Sequence, residues 1–257
     1  MSRRNRSKRK SRKDYRSQNH TPYIRTSDLI NPIVPKTDGQ EEYIDSIDDN
    51  PITICDGPAG VGKSFISFGK ALEYYLEPNE INRIVVVRST FAAGEEPAIG
   101  YLPGDLNDKM GPFLAPILKD SARQLIKKTQ RDYEAQSLLG GGSNTTASIM
   151  QVILSKFDIE IVPLQFMRGR TFANSFVILD EAQNCSMADF KLFLTRVGEN
   201  SKIVIEGDAS QKDRTEGALP QLMEKLRVLD TVGCIYLNEK DIVRSPLISD
   251  ILYALDR

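Results

Sequence analysis

One eight-residue string constrains this chain more than any other: Gly57-Pro58-Ala59-Gly60-Val61-Gly62-Lys63-Ser64. Its glycines let backbone N–H groups converge on an anion without side-chain obstruction, and a lysine and a hydroxyl follow at the spacing of a phosphate-binding loop. Such a loop needs a strand to deliver it and a helix to begin straight after it, because the free amides of a helix start carry partial positive charge. Both flanks fit. Ile52-Thr53-Ile54-Cys55 is a short apolar run, and Phe65, Phe68, Leu72, Tyr75 and Leu76 recur at helical spacing. Lys63 is then placed to meet the β- and γ-phosphates of a nucleotide, and Ser64 to ligate Mg²⁺.

Further apolar runs, rich in β-branched residues, alternate with helical stretches: Ile84–Val87, Ile159–Val162, Phe176–Leu179, Ile203–Ile205 and Ile235–Leu237. Continuous runs of this kind suit a sheet covered on both faces, so the expected fold is α/β, a mostly parallel sheet with helices on either side. A short amphipathic helix is expected upstream, around Gln40 to Ile47. With 257 residues, 40% hydrophobic and 27% charged, the chain has the composition of a soluble globular protein and length for one such domain, expected over 28–257. No apolar run is long enough to cross a bilayer, and the N-terminus lacks the apolar stretch of a secretory signal, so a cytoplasmic location is expected. Cys55, Cys185 and Cys234 lie far apart and read as reduced thiols. The single histidine, His20, sits in the N-terminal tail, which excludes Ser-His-Asp and Cys-His chemistry and the usual zinc sites from the folded part.

The second half of a nucleotide-hydrolysing site follows in Phe176-Val177-Ile178-Leu179-Asp180-Glu181. An apolar strand ending in two carboxylates offers Asp180 to hold the metal and Glu181 to orient and deprotonate water. The second acid favours water over another phosphoryl acceptor, so a small-molecule kinase is the weaker reading. A third strand ends in Glu206-Gly207-Asp208-Ala209-Ser210-Gln211, where Gln211 can contact the γ-phosphate or the attacking water.

Charge is unevenly spread. Of 34 basic and 35 acidic residues, nine and one lie between Arg3 and Arg16, which leaves 25 against 34 elsewhere. Residues 1–27 have almost no apolar content and are expected to be a disordered basic tail, either a solvated segment or an arm for an anionic partner such as nucleic acid. Gly140-Gly141-Gly142-Ser143 reads as a loop between helical segments.

Several stretches are more specific than the phosphate loop. Phe166-Met167-Arg168-Gly169-Arg170-Thr171-Phe172, Asp180-Glu181-Ala182-Gln183-Asn184, Phe193-Leu194-Thr195-Arg196-Val197-Gly198, Asp241-Ile242-Val243-Arg244 and Leu102-Pro103-Gly104-Asp105-Leu106 with Lys109 together resemble the PhoH-like ATPases. Their core is similar to the RecA-type domain of superfamily 1 helicases. The resemblance runs from about Gln40 to the C-terminus. It implies ATP and Mg²⁺ as cofactors, a ring-like homo-oligomer, commonly a hexamer, and coupling to single-stranded nucleic acid, RNA above DNA, as a helicase or remodeller. It also implies that Gln40 reads adenine and that Arg88 supports a γ-phosphate or strand contact. Ser64 in place of the commoner threonine should preserve metal binding, and Ser89 stands where the family usually has proline. Small members of this kind are frequent in bacteriophages, which fits a phage origin and action in the host cytoplasm. The absence of a nuclease-like domain argues against intrinsic RNA cleavage.

Hydrolysis spreads charge over the γ-phosphoryl oxygens, and arginine suits that charge. Arg168, Arg170, Arg196 and Arg244 are the candidates, with structural ion pairing the competing role for each. Arg244 or Arg196 is expected to act in trans on a neighbouring subunit. The alternative to a motor is a slow, nucleotide-timed binding module.

Overall fold

The computed structural model describes residues 30–78, 80–88, 125, 157–211 and 217–243. The basic tail, the Leu102–Lys109 stretch, the glycine-rich segment at 140–146, Ser89 and Arg244 lie outside the described residues. Six strands, β1 (Ile52–Asp56), β2 (Arg83–Arg88), β3 (Ile159–Pro163), β4 (Ser175–Asp180), β5 (Lys202–Gly207) and β6 (Val232–Tyr236), form one sheet in the order β3-β2-β4-β5-β1-β6. Every pairing is parallel. The fold is thus the expected α/β arrangement.

Alternation along the strands assigns side chains to two core layers. Ile84, Val86, Phe176, Ile178 and Val204 meet helices α1 (Asp38–Asp49) and α2 (Lys63–Leu76) through Tyr43, Ile47, Phe68 and Leu72. Val85, Val87, Val177, Leu179, Ile203 and Ile205 face the other way, onto α3 (Met187–Leu194) and α4 (Leu219–Leu226) through Phe190, Phe193, Leu222 and Met223. Burying one such side chain fully contributes about 1.5–3 kcal/mol, so a one-residue register slip would forfeit a whole layer.

Local chemistry explains the helix bounds. The α1 helix starts two residues before the periodicity indicates, because Thr37 caps it, its side chain accepting from the Gln40 N–H at 3.2 Å. The same hydroxyl donates to Asp241 Oδ1 at 2.6 Å, fastening the helix start to the last described turn. At the other end, the Lys202 ammonium donates to the carbonyls of Ile47, Asp48 and Asn50 at 2.8, 2.7 and 3.0 Å. The largest departure from expectation is β6, which spans Val232–Tyr236 rather than Ile235–Leu237. It is an edge strand in register with β1, and Gly233 lies so close to α1 that a Cβ there would meet Ser46 Oγ. A half-exposed strand interrupted by glycine does not read as an apolar run. Among the described residues no helix is long and apolar enough to cross a membrane, and the three cysteines are free thiols.

Candidate active site

In an open parallel sheet, loops at the carboxyl ends of the strands form the crevice. Here β1 delivers the phosphate loop, β4 delivers Asp180 and Glu181, and β5, lying between them, delivers Glu206 to Asp208. The three motifs separated in sequence therefore converge at one end of the sheet.

The loop's shape depends on its glycines. Gly60 and Gly62 adopt φ of 93° and 90°, and Gly62 caps α2. The Gly57 N–H donates to the Gly207 carbonyl at 3.1 Å, tying the loop to β5. Lys63 Nζ donates to the carbonyls of Gly57 and Pro58, the latter at 3.0 Å, which holds the ammonium over the loop. Gln40 is buried against the loop: its Nε2 donates to the Val61 carbonyl at 2.8 Å and its Oε1 accepts from the Lys36 N–H at 2.8 Å. Both ends of the amide thus support main chain, which gives Gln40 a structural task at the loop. Val243 N–H donates to the Gly60 carbonyl at 3.1 Å, so the last described residue also lies against the loop.

Glu181 sits at φ 56°, ψ 38°, a left-handed conformation that costs a non-glycine residue of order 1 kcal/mol. Two side chains fix its carboxylate. Arg88, at the end of β2, donates to Oε1 at 2.8 Å, and Gln183 donates to Oε2 at 2.6 Å. Gln183 also accepts from the Asp208 N–H at 3.1 Å, linking the β4 turn to the β5 turn. Asp208 Oδ1 in turn accepts from the Ser210 N–H at 3.0 Å and its hydroxyl at 2.5 Å. Gln211 follows on the exposed side of this turn.

Asp180 and Glu206 continue the alternation of Ile178 and Val204, so both point beneath the first turns of α2. With Ser64, Ser67, Phe68, Val86 and Ile178 they line a cavity of about 10 Å³. Burial pushes the Asp180 carboxyl up to about 6, with Glu181 adding to the rise and Arg88 opposing it. Burial likewise pushes Glu206 up to about 7, reinforced by Asp180 and opposed by the Ser64 and Ser67 hydroxyls and by Lys63. Tyr43 donates to Glu206 Oε2 at 3.1 Å, whereas Glu206 Oε1 and Asp180 Oδ2 have no hydrogen-bond partner among the described residues. The neighbouring serines bear on the charge of Glu206 without making a hydrogen bond of ordinary geometry to Oε1. Arg88 Nε stands 3.9 Å from Asp180 Oδ2, too far for a hydrogen bond. Two buried carboxylate oxygens without donors, beside a serine hydroxyl, suit a hard divalent cation such as Mg²⁺. Among the described residues no three His, Cys, Asp or Glu side chains converge on a metal position, so phosphate oxygens would have to supply much of the coordination.

The arginines divide. Arg170 donates to both oxygens of Glu160 at 2.6 and 2.7 Å and lies 4.9 Å from the Phe172 ring, a structural arrangement on the face of the sheet. Arg168 is exposed beside Gly169, whose φ is 77°. Arg196 follows α3, and its carbonyl accepts from the Phe172 N–H at 2.8 Å, ahead of the first residues of β4 and β5. It therefore belongs to the end of the sheet opposite the phosphate loop, and the chain does not bring it to its own cleft.

Sequence reasoning missed Gln183 as a bridge and Glu206 altogether. A charged residue closing the Ile203-Val204-Ile205 run at a core-facing position was the available signal.

The chain matches the family model described as PhoH-like protein over residues 32–256. It is 37% identical over 225 residues to a PhoH-like protein of Bacillus subtilis (strain 168), covering 86% of this chain and 63% of that protein. To Protein PhoH of Escherichia coli (strain K12) it is 34% identical over 235 residues, covering 90% and 60% respectively. The chain thus spans about three fifths of the length of these relatives. Among solved structures, the large terminase of a thermophilic bacteriophage superposes with a TM-score of 0.50 at 13% identity, covering 85% of this chain and 50% of that one. That likeness is one of fold.

Proposed function

The chain belongs to the PhoH-like protein family, and on that premise we propose that residues 28–257 act as one ATPase domain that hydrolyses ATP with Mg²⁺. The carrying observation is the double restraint on Glu181, 2.8 Å from Arg88 and 2.6 Å from Gln183, at the mouth of a phosphate loop. A carboxylate fixed in this way beside bound phosphates has one evident use, to orient a water molecule for in-line attack.

In this reading the amides of 57–64 and the Lys63 ammonium bind the β- and γ-phosphates. Ser64 and Asp180 hold the cation, which when bound neutralises developing charge on the phosphoryl oxygens. Glu181 accepts the proton of the attacking water. Gln211, exposed on the β5 turn, reports the state of the γ-phosphate to a partner surface, and Gln40 reads adenine by exchanging its bonds to the Lys36 and Val61 main chain for the base edge.

We further propose a homo-oligomeric ring, in which a neighbour supplies Arg244 or Arg196, coupled to single-stranded nucleic acid with RNA favoured. The basic tail supports a polyanion partner. The placement of Arg196 away from its own cleft supports a task in trans. Steady-state ATP hydrolysis with and without single-stranded RNA and DNA tests the coupling. Stimulation by one polymer, absent from Lys63→Ala, is the expected result, and indifference to both would remove nucleic acid from the account.

One observation favours a slower device. Both Glu181 oxygens already accept hydrogen bonds, from Arg88 and from Gln183, so basal turnover would be slow until a partner reorganises the pair with Arg88 and leaves an oxygen for water. The chain would then be a nucleotide-timed binding module, and its turnover would stay slow with every polymer.

A further inference from the structure

Glu206 is the least expected charge in the described fold. It is fully buried, next on its face of the strand to the packed Val204, and among the described residues Tyr43 makes the one hydrogen bond to it, at Oε2, while the Ser64 and Ser67 hydroxyls stand near enough to stabilise its charge. A buried carboxylate with one free oxygen is costly unless something pairs with it. No Lys, Arg or His makes an ion pair with it among the described residues, and Lys63 acts on it only at a distance. Glu206 lines the same small cavity as Ser64 and Asp180, and among the described residues Glu206 Oε1 and Asp180 Oδ2 both lack a hydrogen-bond donor. A tyrosine hydroxyl from α1 fixes the carboxylate's other oxygen, so the group is oriented and not merely trapped.

We propose that Glu206 is a third protein oxygen donor to the divalent cation, acting with Ser64 and Asp180. The inference rests on the reading of that cleft as a Mg²⁺-nucleotide site. Its consequence is specific. A site with one carboxylate and one hydroxyl depends on nucleotide phosphates to retain its cation. A second buried carboxylate lets the base of the phosphate loop hold the ion before nucleotide arrives. The cleft would then present a loaded, positively compensated floor to the incoming triphosphate.

Mn²⁺ replaces Mg²⁺ as the probe, and electron paramagnetic resonance of free Mn²⁺ gives its affinity with and without saturating ADP. Glu206→Gln keeps the shape and removes the charge; Glu206→Asp keeps the charge and withdraws the carboxylate by one methylene. The expected result is one Mn²⁺ bound per chain without nucleotide, weakened about tenfold or more in Glu206→Gln and by a smaller factor in Glu206→Asp. Asp180→Asn serves as the reference variant. If Asp180→Asn leaves Mn²⁺ binding with ADP unchanged, the cation reading of the whole cleft fails. If Asp180→Asn weakens it while Glu206→Gln binds Mn²⁺ as the wild type does, the inference about Glu206 alone is overturned. Should Glu206→Gln not fold, wild-type affinity in Glu206→Asp would overturn it equally.

Discussion

Arg88 and Gln183 each hold one oxygen of Glu181 and so restrict its rotamers, which is what the proposed role in orienting water requires. Replacing Arg88 with alanine should release one oxygen of Glu181 and lower the rate of ATP hydrolysis about 10- to 100-fold. The same change should alter ATP affinity little, a split that steady-state kinetics and equilibrium titration together would show. The buried carboxyls make a second prediction. Asp180 and Glu206 are pushed up to about 6 and about 7, from ordinary values of 3.8 and 4.5. The folded protein therefore holds protons that the unfolded chain has released, so these two groups make stability fall as pH rises from about 4 to about 7. Thermal melts in EDTA should show that slope in the wild type and lose much of it in the Asp180→Asn, Glu206→Gln double variant. Equal slopes would contradict the burial assigned to the pair. Legibility differed sharply at this scale. Lys63 and Ser64 stand out as candidates because a phosphate loop has fixed spacing, and Asp180 and Glu181 because an apolar strand ends in two carboxylates. Gln183 and Glu206 do not, because their partners Asp208 and Tyr43 lie 25 and 163 positions away in the chain.

At the scale of elements, the helices are positioned by a few polar clasps as much as by the apolar layers. Lys202 binds three carbonyls at the end of α1, the helix that carries Gln40 to the phosphate loop and Tyr43 to Glu206. Lys202→Ala should cost about 1–3 kcal/mol, since carbonyls bonded to a cation lose their partner. A thermal melt should record this as a drop of several degrees, and an unchanged midpoint would show that water replaces the lysine without loss. Five of the six strands read directly from the sequence, since β1, β2, β4 and β5 are interior strands packed on both faces and the edge strand β3 interrupts its apolar residues only at Glu160. The other edge strand, β6, does not read this way, because it is only half-buried and Gly233, held against Ser46, breaks its apolar run. The sequence reading left α3 and α4 undelimited, as each spans only eight residues, too short for a periodicity to declare itself.

For the whole molecule, the parallel sheet gathers the ends of β1, β4 and β5 into one cleft while Arg196 belongs to the opposite end. That separation matters for an assembly. Mixing Lys63→Ala subunits with Arg196→Ala subunits should restore hydrolysis that neither variant shows alone, if clefts are completed between neighbours. Additive rates without restoration would leave each subunit to work by itself, and the same mixture made with Arg244→Ala would say which arginine crosses. The order β3-β2-β4-β5-β1-β6 was not written in any local pattern, because strand neighbours are chosen by long crossovers and not by adjacent residues. The proposed ATPase function and the shared clefts depend on the site being hydrolytic. The direct test is a single-turnover comparison of wild type with Glu181→Gln, following bound ATP to ADP. The account predicts similar ATP affinity in both proteins, cleavage in the wild type, and a rate at least about 100-fold lower in Glu181→Gln. Cleavage at the wild-type rate by Glu181→Gln would contradict it.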